Sequence, residues 1–103
     1  MDITSEEAQD HLSQAEIIDV RTPGEFKEGH IKRAMNIDIN DPDFEGKVDK
    51  LDKSKQYLVY CRTGHRSTYA VEIMKSLGFD KIFHLYIGIL EWIDSGYPIE
   101  KTI

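Results

Sequence analysis

Tyr57-Leu58-Val59-Tyr60-Cys61-Arg62-Thr63-Gly64-His65-Arg66-Ser67 runs from a short apolar segment into a stretch with helical periodicity. The apolar run reads as a central strand covered on both faces. Downstream, Ala70, Ile73, Met74 and Leu77 form one apolar stripe, with Lys75 in the last turn and Gly78 just past the helix end. The strand therefore passes into the helix through a seven-residue loop, and the Cys61 sulfur stands where the strand stops. Unpaired backbone N–H groups and the positive end of the helix dipole favour negative charge at such a place. Arg62 and Arg66 add two fixed cations there, and His65 can add a third. A thiol in these surroundings is expected to be exposed and largely thiolate, which is the reactive form. The loop reads as an anion cradle around a nucleophilic sulfur.

Outward from this loop, strands and helices alternate. Thr4 and Glu7 have capping-box spacing ahead of a short helix that uses Ala8, His11 and Leu12. Glu16-Ile17-Ile18-Asp19-Val20 is a strand, broken by Arg21-Thr22-Pro23-Gly24, where Pro23 starts a helical turn through Phe26. Gly29-His30-Ile31 leads to a strand near Met35-Asn36-Ile37, and Asn40-Asp41-Pro42 is a turn before a charged helix through Val48 and Leu51. Ile82-Phe83-His84-Leu85-Tyr86 is another strand. Gly88 opens a last helix with Ile89, Trp92 and Ile93 inward, ended by Gly96 and Pro98. This order predicts an α/β fold, a three-layer domain with a mainly parallel, short-stranded sheet flanked by helices. Residues 1–103 are expected to form a single domain, with no repeat or linker inside it. Ligands gather at the carboxyl ends of strands in such sheets, where both Cys61 and Asp19-Val20-Arg21 fall.

Composition narrows the function. Thirteen basic against nineteen acidic residues leave a net charge of −6, which argues against nucleic acid or anionic membrane as partner. The cluster Arg62, His65 and Arg66 is thus a basic spot on an acidic molecule. One cysteine excludes an internal disulfide. Cys61 and His65 are four apart with no further ligand beside them, so no metal site is expected. The longest apolar stretch, Ile82 to Leu90, is too short to span a bilayer. With no leader visible, a cytoplasmic location is expected, although a mature form cut from a leader has the same appearance.

Asp19-Val20-Arg21, Glu25-Phe26, Gly29-His30-Ile31, the Cys61–Ser67 loop and the close Gly88-Ile89-Leu90-Glu91-Trp92 together resemble a single-domain rhodanese, a sulfurtransferase. The match runs in the family's order to about Pro98. The resemblance implies no cofactor. It implies that Cys61 takes the outer sulfur of thiosulfate or a similar donor as a persulfide. Cyanide, a small thiol or a protein thiol, such as that of a thioredoxin-like protein, then removes that sulfur. By position, backbone N–H groups from Arg62 to Ser67, including those of Thr63, Gly64 and His65, curl around the sulfur. Arg62 and Arg66 hold the donor's sulfonate, Gly64 permits the tight turn, and Ser67 caps the next helix or donates to the loop. Asp19 braces the loop floor, and Arg21 pairs with Glu25. Two departures stand out: Lys32-Arg33 where the family commonly has Pro-Gly, and Ile87-Gly88 where it has Gly-Gly. The former is expected to add positive charge at one rim of the site, if that rim is close.

Cysteine-dependent phosphatases use a Cys-x5-Arg loop, whereas here the spacing is Cys61-x4-Arg66. The smaller ring fits one sulfur atom better than a phosphoryl group. Without a second cysteine, the persulfide is resolved by an outside acceptor. Two alternatives stay open: a non-catalytic module of the same fold that docks a partner, and a cysteine-dependent phosphatase or arsenate reductase. The simpler assignments are a core residue for Cys61, a solvated turn for Asp19, Arg21 and Glu25, and an exposed loop residue for His65. His30 reads as structural, Phe83 and Trp92 as core, the acidic stretch Asp38–Asp52 as a solvated face, and His11 and His84 as unremarkable.

Overall fold

Successive side chains of a strand face opposite ways, and this period of two sorts the apolar residues into two cores. The computed structural model describes residues 1–102. In chain order it contains β1 (Asp2–Ile3), α1 (Ser5–Ala8), β2 (Ala15–Asp19), α2 (Pro23–Glu28) and β3 (Met35–Asn36). There follow α3 (Phe44–Asp49), β4 (Gln56–Tyr60), α4 (His65–Ser76), β5 (Ile82–Leu85) and α5 (Ile89–Asp94). The strands form one parallel sheet in the order β1-β5-β4-β2-β3. On one face Ile18, Val59 and Cys61 pack with Phe44 and Val48 of α3 and with Ala70 and Met74 of α4. On the other, Ile17, Leu58 and Tyr60 pack with Ala8 of α1 and with Ile89 and Trp92 of α5. The result is the expected three-layer α/β sandwich, and the alternation along β4 turns Cys61 toward α4.

Local chemistry sets several boundaries. Reciprocal capping boxes join Thr4 to Glu7 and Thr22 to Glu25, and Pro23 occupies the first turn of α2. Gly78, at φ 102°, follows the C-cap Leu77 of α4. The first helix is shorter than expected: regular structure stops at Ala8, and the chain turns until the Gln14 and Ala15 N–H groups donate to the His11 carbonyl. Asp2–Ile3 forms the edge strand β1 against β5. Within the acidic stretch, Phe44 and Val48 are buried and anchor α3, so only part of that face is solvated. His30 is structural, as expected: its Nδ1 lies 2.8 Å from the Phe26 carbonyl and its ring stacks on Phe26.

Three expectations need correction. Ile93 is 45% exposed, because α5 is a six-residue helix whose buried face is filled by Ile89 and Trp92. Phe83 is only partly buried and stacks on His11 with ring centroids 4.0 Å apart. Lys32-Arg33 borders neither of the cavities lined by residues of the Cys61 loop. Arg33, in the left-handed region at φ 70°, donates to the Leu12 carbonyl, and both residues border a cavity beside Trp92 and Pro98. Among the described residues, no helix is long and apolar enough to cross a membrane.

Trp92 is 1% exposed and donates through Nε1 to the Pro98 carbonyl at 2.9 Å. Trp92→Ala is therefore expected to cost about 3–5 kcal/mol in denaturant unfolding. Ile93→Ala is expected to stay within about 0.5 kcal/mol of the parent.

Candidate active site

β4 ends at Tyr60, and the chain must turn at once to start α4. Gly64 makes this turn as the N-cap of α4 at φ 101°. A Cβ built there meets the Tyr86 carbonyl oxygen at 1.8 Å, so only glycine fits. Gly88 is the counterpart on the β5–α5 turn: at φ 90°, its Cβ would lie 2.2 Å from the Arg62 carbonyl oxygen. The Ile89 and Leu90 N–H groups donate to the Cys61 and Arg62 carbonyls at 3.0 and 3.2 Å. The loop is thereby clamped against the start of α5. Glycine at position 88 suffices for this close approach, with Ile87 before it.

Inside the clamp, polar hydrogens converge on one atom. The Gly64 and Ser67 N–H groups donate to Cys61 Sγ at 3.1 and 3.3 Å, and Ser67 Oγ lies 3.3 Å from the same sulfur. The twelve-residue α4 directs the positive end of its dipole toward this point. Ser67 lies inside the helix and is fully buried, so the N-cap position falls to Gly64; the Ser67 hydroxyl faces the sulfur and also lies 3.2 Å from the Gly64 carbonyl of the loop, the second of its two expected roles. The expectation of an exposed sulfur is also corrected. Cys61 is 1% exposed, because the alternation of β4 turns it into the core beneath α4.

The charged residues are paired differently from the sequence expectation. Arg21 bonds not to Glu25 but to Asp19, with Nη2–Oδ2 at 2.6 Å, and also donates to the Gly29 carbonyl. Asp19 is fully buried and accepts from the Arg21 N–H and guanidinium. Its link to the loop is thus indirect, through the Arg21 guanidinium lying 5.7 Å from the centre of the Tyr60 ring. Glu25 instead receives both nitrogens of Arg66, at 2.7 and 2.8 Å. This fork holds the Glu25 carboxyl at about 2, well below its ordinary 4.5, with the hydrogen bond from Thr22 N–H adding to the effect and partial burial opposing it.

The remaining loop residues divide between two cavities. Arg62, exposed and without an ion pair among the described residues, borders a cavity of about 250 Å³ beside Glu25, Leu90 and Ile93. Thr63, Gly64 and His65 border another of about 510 Å³. His65 is exposed, as expected, and meets Tyr69 edge-on. The second cavity also reaches His84, which is not unremarkable. It is 5% exposed, with Nε2 2.6 Å from Ser67 Oγ and Nδ1 3.2 Å from Asp2 Oδ1. A histidine inside an otherwise apolar strand was the available sign. Its partners lie 17 and 82 residues away along the chain, and no local pattern connects them. Among the described residues, no group of three acidic, histidine or cysteine side chains could hold a metal ion.

The Glu25–Arg66 fork ties α2 to the loop, and its contribution depends on pH. A carboxylate whose folded-state value is depressed stabilises above its unfolded value and loses that effect as pH falls. Glu25→Gln is expected to lower stability by about 1 kcal/mol at neutral pH, since the pair is partly exposed and screened. The difference from the parent should shrink between pH 4.5 and about 2 in thermal unfolding.

The rhodanese-like domain family model matches residues 4–95. A sulfurtransferase of Allochromatium vinosum is 29% identical over 101 residues, covering 95% of this chain and 92% of that protein. The mitochondrial protein HIGH ARSENIC CONTENT 1 of Arabidopsis thaliana is 29% identical over 94 residues, and the match spans 82% of this chain but 56% of that longer protein. The crystal structure of a rhodanese-related protein from Thermoplasma volcanium superposes with a TM-score of 0.88 at 33% identity, over 96% of each chain. The fold, the matched span and these relatives agree: the chain belongs to the rhodanese-like domain family.

Proposed function

We propose that the protein is a sulfurtransferase that carries one sulfane sulfur on Cys61 between a thiosulfate-type donor and a thiol or cyanide acceptor. The observation that carries this proposal is the convergence of the Gly64 and Ser67 N–H groups on Cys61 Sγ at 3.1 and 3.3 Å. Such a cradle stabilises negative charge on sulfur through fixed dipoles. In the first half-reaction the Cys61 thiolate attacks the outer sulfur of the donor. The donor's S–S bond breaks, and sulfite leaves with the electron pair. In the second, the acceptor attacks the outer sulfur of the persulfide, and Cys61 recovers its electron pair as thiolate.

Arg62 is the residue best suited to the donor's sulfonate, being exposed at the rim with its guanidinium unpaired among the described residues. Arg66 frames the loop through Glu25 and presents its charge from the side. Because Cys61 is 1% exposed, its surroundings must open for a donor to reach the sulfur. That burial also favours a second function, a docking module that does no chemistry. In support of it, Tyr86, Ile87, Leu90 and Ile93 expose apolar surface on and after the turn that clamps the loop. A location in the cytoplasm and a thioredoxin-like acceptor belong to the proposed enzyme as well. The sulfur-carrying role itself accords with a relative named as a sulfurtransferase and another named as a sulfur carrier.

Incubation with thiosulfate is expected to add the mass of one sulfur atom, and Cys61→Ser is expected to add none. An unchanged mass in the parent protein supports the docking module. Phosphoester turnover without a sulfur adduct favours a phosphatase. Arg66→Ala is expected to slow loading by roughly ten- to a hundredfold, the equivalent of about 1.5–3 kcal/mol for charged hydrogen bonds. Arg66→Lys should lose less, because charge without the fork retains part of the contact. No loss in either variant removes Arg66 from the site.

A further inference from the structure

The cradle opens on its inner side into a chain of hydrogen bonds that sulfur transfer as described leaves unused. Cys61 Sγ lies 3.3 Å from Ser67 Oγ, Ser67 Oγ 2.6 Å from His84 Nε2, and His84 Nδ1 3.2 Å from Asp2 Oδ1. The chain joins the end of β4, the first turn of α4, β5 and the edge strand β1. Parallel pairing sets its geometry: His84 is in register with Val59 on one side and with Asp2 on the other. Ser67 is fully buried, and His84 is 5% exposed where it borders the cavity of about 510 Å³.

The proton positions follow from chemistry. A carboxylate can only accept, so the Asp2 contact places the ring hydrogen of His84 on Nδ1. Nε2 then carries a lone pair and accepts the Ser67 hydroxyl, which lies closer to it, at 2.6 Å, than to its other acceptor, the Gly64 carbonyl, at 3.2 Å. The Ser67 oxygen in turn accepts from the Cys61 thiol. All three bonds point the same way, from the sulfur through the imidazole to the Asp2 carboxylate.

We propose that His84 is a positioning residue that receives the Cys61 proton through Ser67 and so generates the nucleophile. The S–H bond breaks, and its electron pair stays on sulfur. The proton bonds to Ser67 Oγ, while the hydrogen already there moves to His84 Nε2. Afterwards the Ser67 hydroxyl donates to the thiolate and the Nε2–H donates to Ser67 Oγ, so no hydrogen bond is lost. Asp2 faces the new imidazolium. The proton then leaves through the cavity of about 510 Å³ that His84 borders together with Asp2, Glu72 and Lys75.

Burial gives the relay its purpose. A sulfur that is 1% exposed has no direct path for its proton to bulk water, and the Ser67–His84 chain supplies one. The charges around His84 keep it ready to accept. Burial holds its protonation below the ordinary histidine range, assisted by the Met1 amino terminus and Lys75 of α4, and the Asp2 hydrogen bond and charge oppose this. Glu72 of α4 and His65 of the loop face the same cavity. The imidazole is therefore neutral at neutral pH.

The relay serves the reaction only if sulfur transfer is the function, so the test separates the two. Ring-nitrogen NMR of the parent protein at neutral pH is expected to show His84 with its hydrogen on Nδ1, and the ring signals should move in Cys61→Ala. A hydrogen on Nε2, or ring signals indifferent to Cys61, overturns the relay whether or not thiosulfate loads the protein. His84→Gln fills a similar volume but cannot take a proton. With the fold checked by circular dichroism, it is expected to slow sulfur loading about a hundredfold at neutral pH. The gap should close at alkaline pH, where the thiol ionises without the imidazole. Ser67→Ala is expected to behave alike, and the double variant to lose no more than either single one. Unchanged loading in His84→Gln, or a loss equal at every pH, overturns the relay. If the parent protein loads no sulfur, the proposed function fails, and the ring tautomer and its response to Cys61 still decide the relay.

Discussion

Two glycines without side chains hold the loop and the β5–α5 turn closer than any other residues allow. Gly64 lies against the Tyr86 carbonyl and Gly88 against the Arg62 carbonyl, each where a Cβ would meet backbone at about 2 Å. Backbone cannot yield as a side chain can, so this mutual approach fixes the path from Cys61 to Ser67. The N–H groups of Gly64 and Ser67 meet at the sulfur because that path leaves them no other direction.

Around this clamp the molecule arranges charge in two layers. Deep in the structure, Asp19 and Arg21 form a buried pair that bonds back to its own strand end and to the Gly29 carbonyl. Each charge is satisfied by the other and by the backbone, as a pair removed from water requires. Nearer the surface, the Glu25–Arg66 pair bridges α2 to α4. Glu25 closes the capping box of α2 through Thr22 while it holds the arginine. The same carboxylate thus ends one helix and orients the first turn of another. Arg62 is left at the rim.

The sulfur itself lies between a polar and an apolar environment. Ile18, Val20, Val59 and Ala70 share a core cluster with it, and amide hydrogens and a hydroxyl face it on the other side. Apolar walls strengthen those dipoles by excluding water. They also deprive the thiol of solvent, which is why a buried imidazole within two hydrogen bonds of it acquires chemical meaning.

What could be read directly from the chain was whatever depends on neighbours in sequence. Period-two alternation and helical spacing identified β4 and α4, the Thr4 capping signal and Pro23 marked two helix starts, and Cys61 at a strand end identified the cradle. Each is a local property, decided within a few residues by backbone geometry and capping. Tertiary structure alone decided which ions pair. Arg21 and Glu25 have helical spacing and look like partners, yet Arg21 folds back on Asp19 and Glu25 reaches Arg66, 41 residues away. It alone decided that Ile93 faces water and that the sulfur is covered. It alone brought Asp2 and His84 to Ser67, since parallel pairing joins strands that lie far apart along the chain. Partners set by sheet register and layer packing leave no periodic trace in the sequence, because their separation depends on the whole path of the chain.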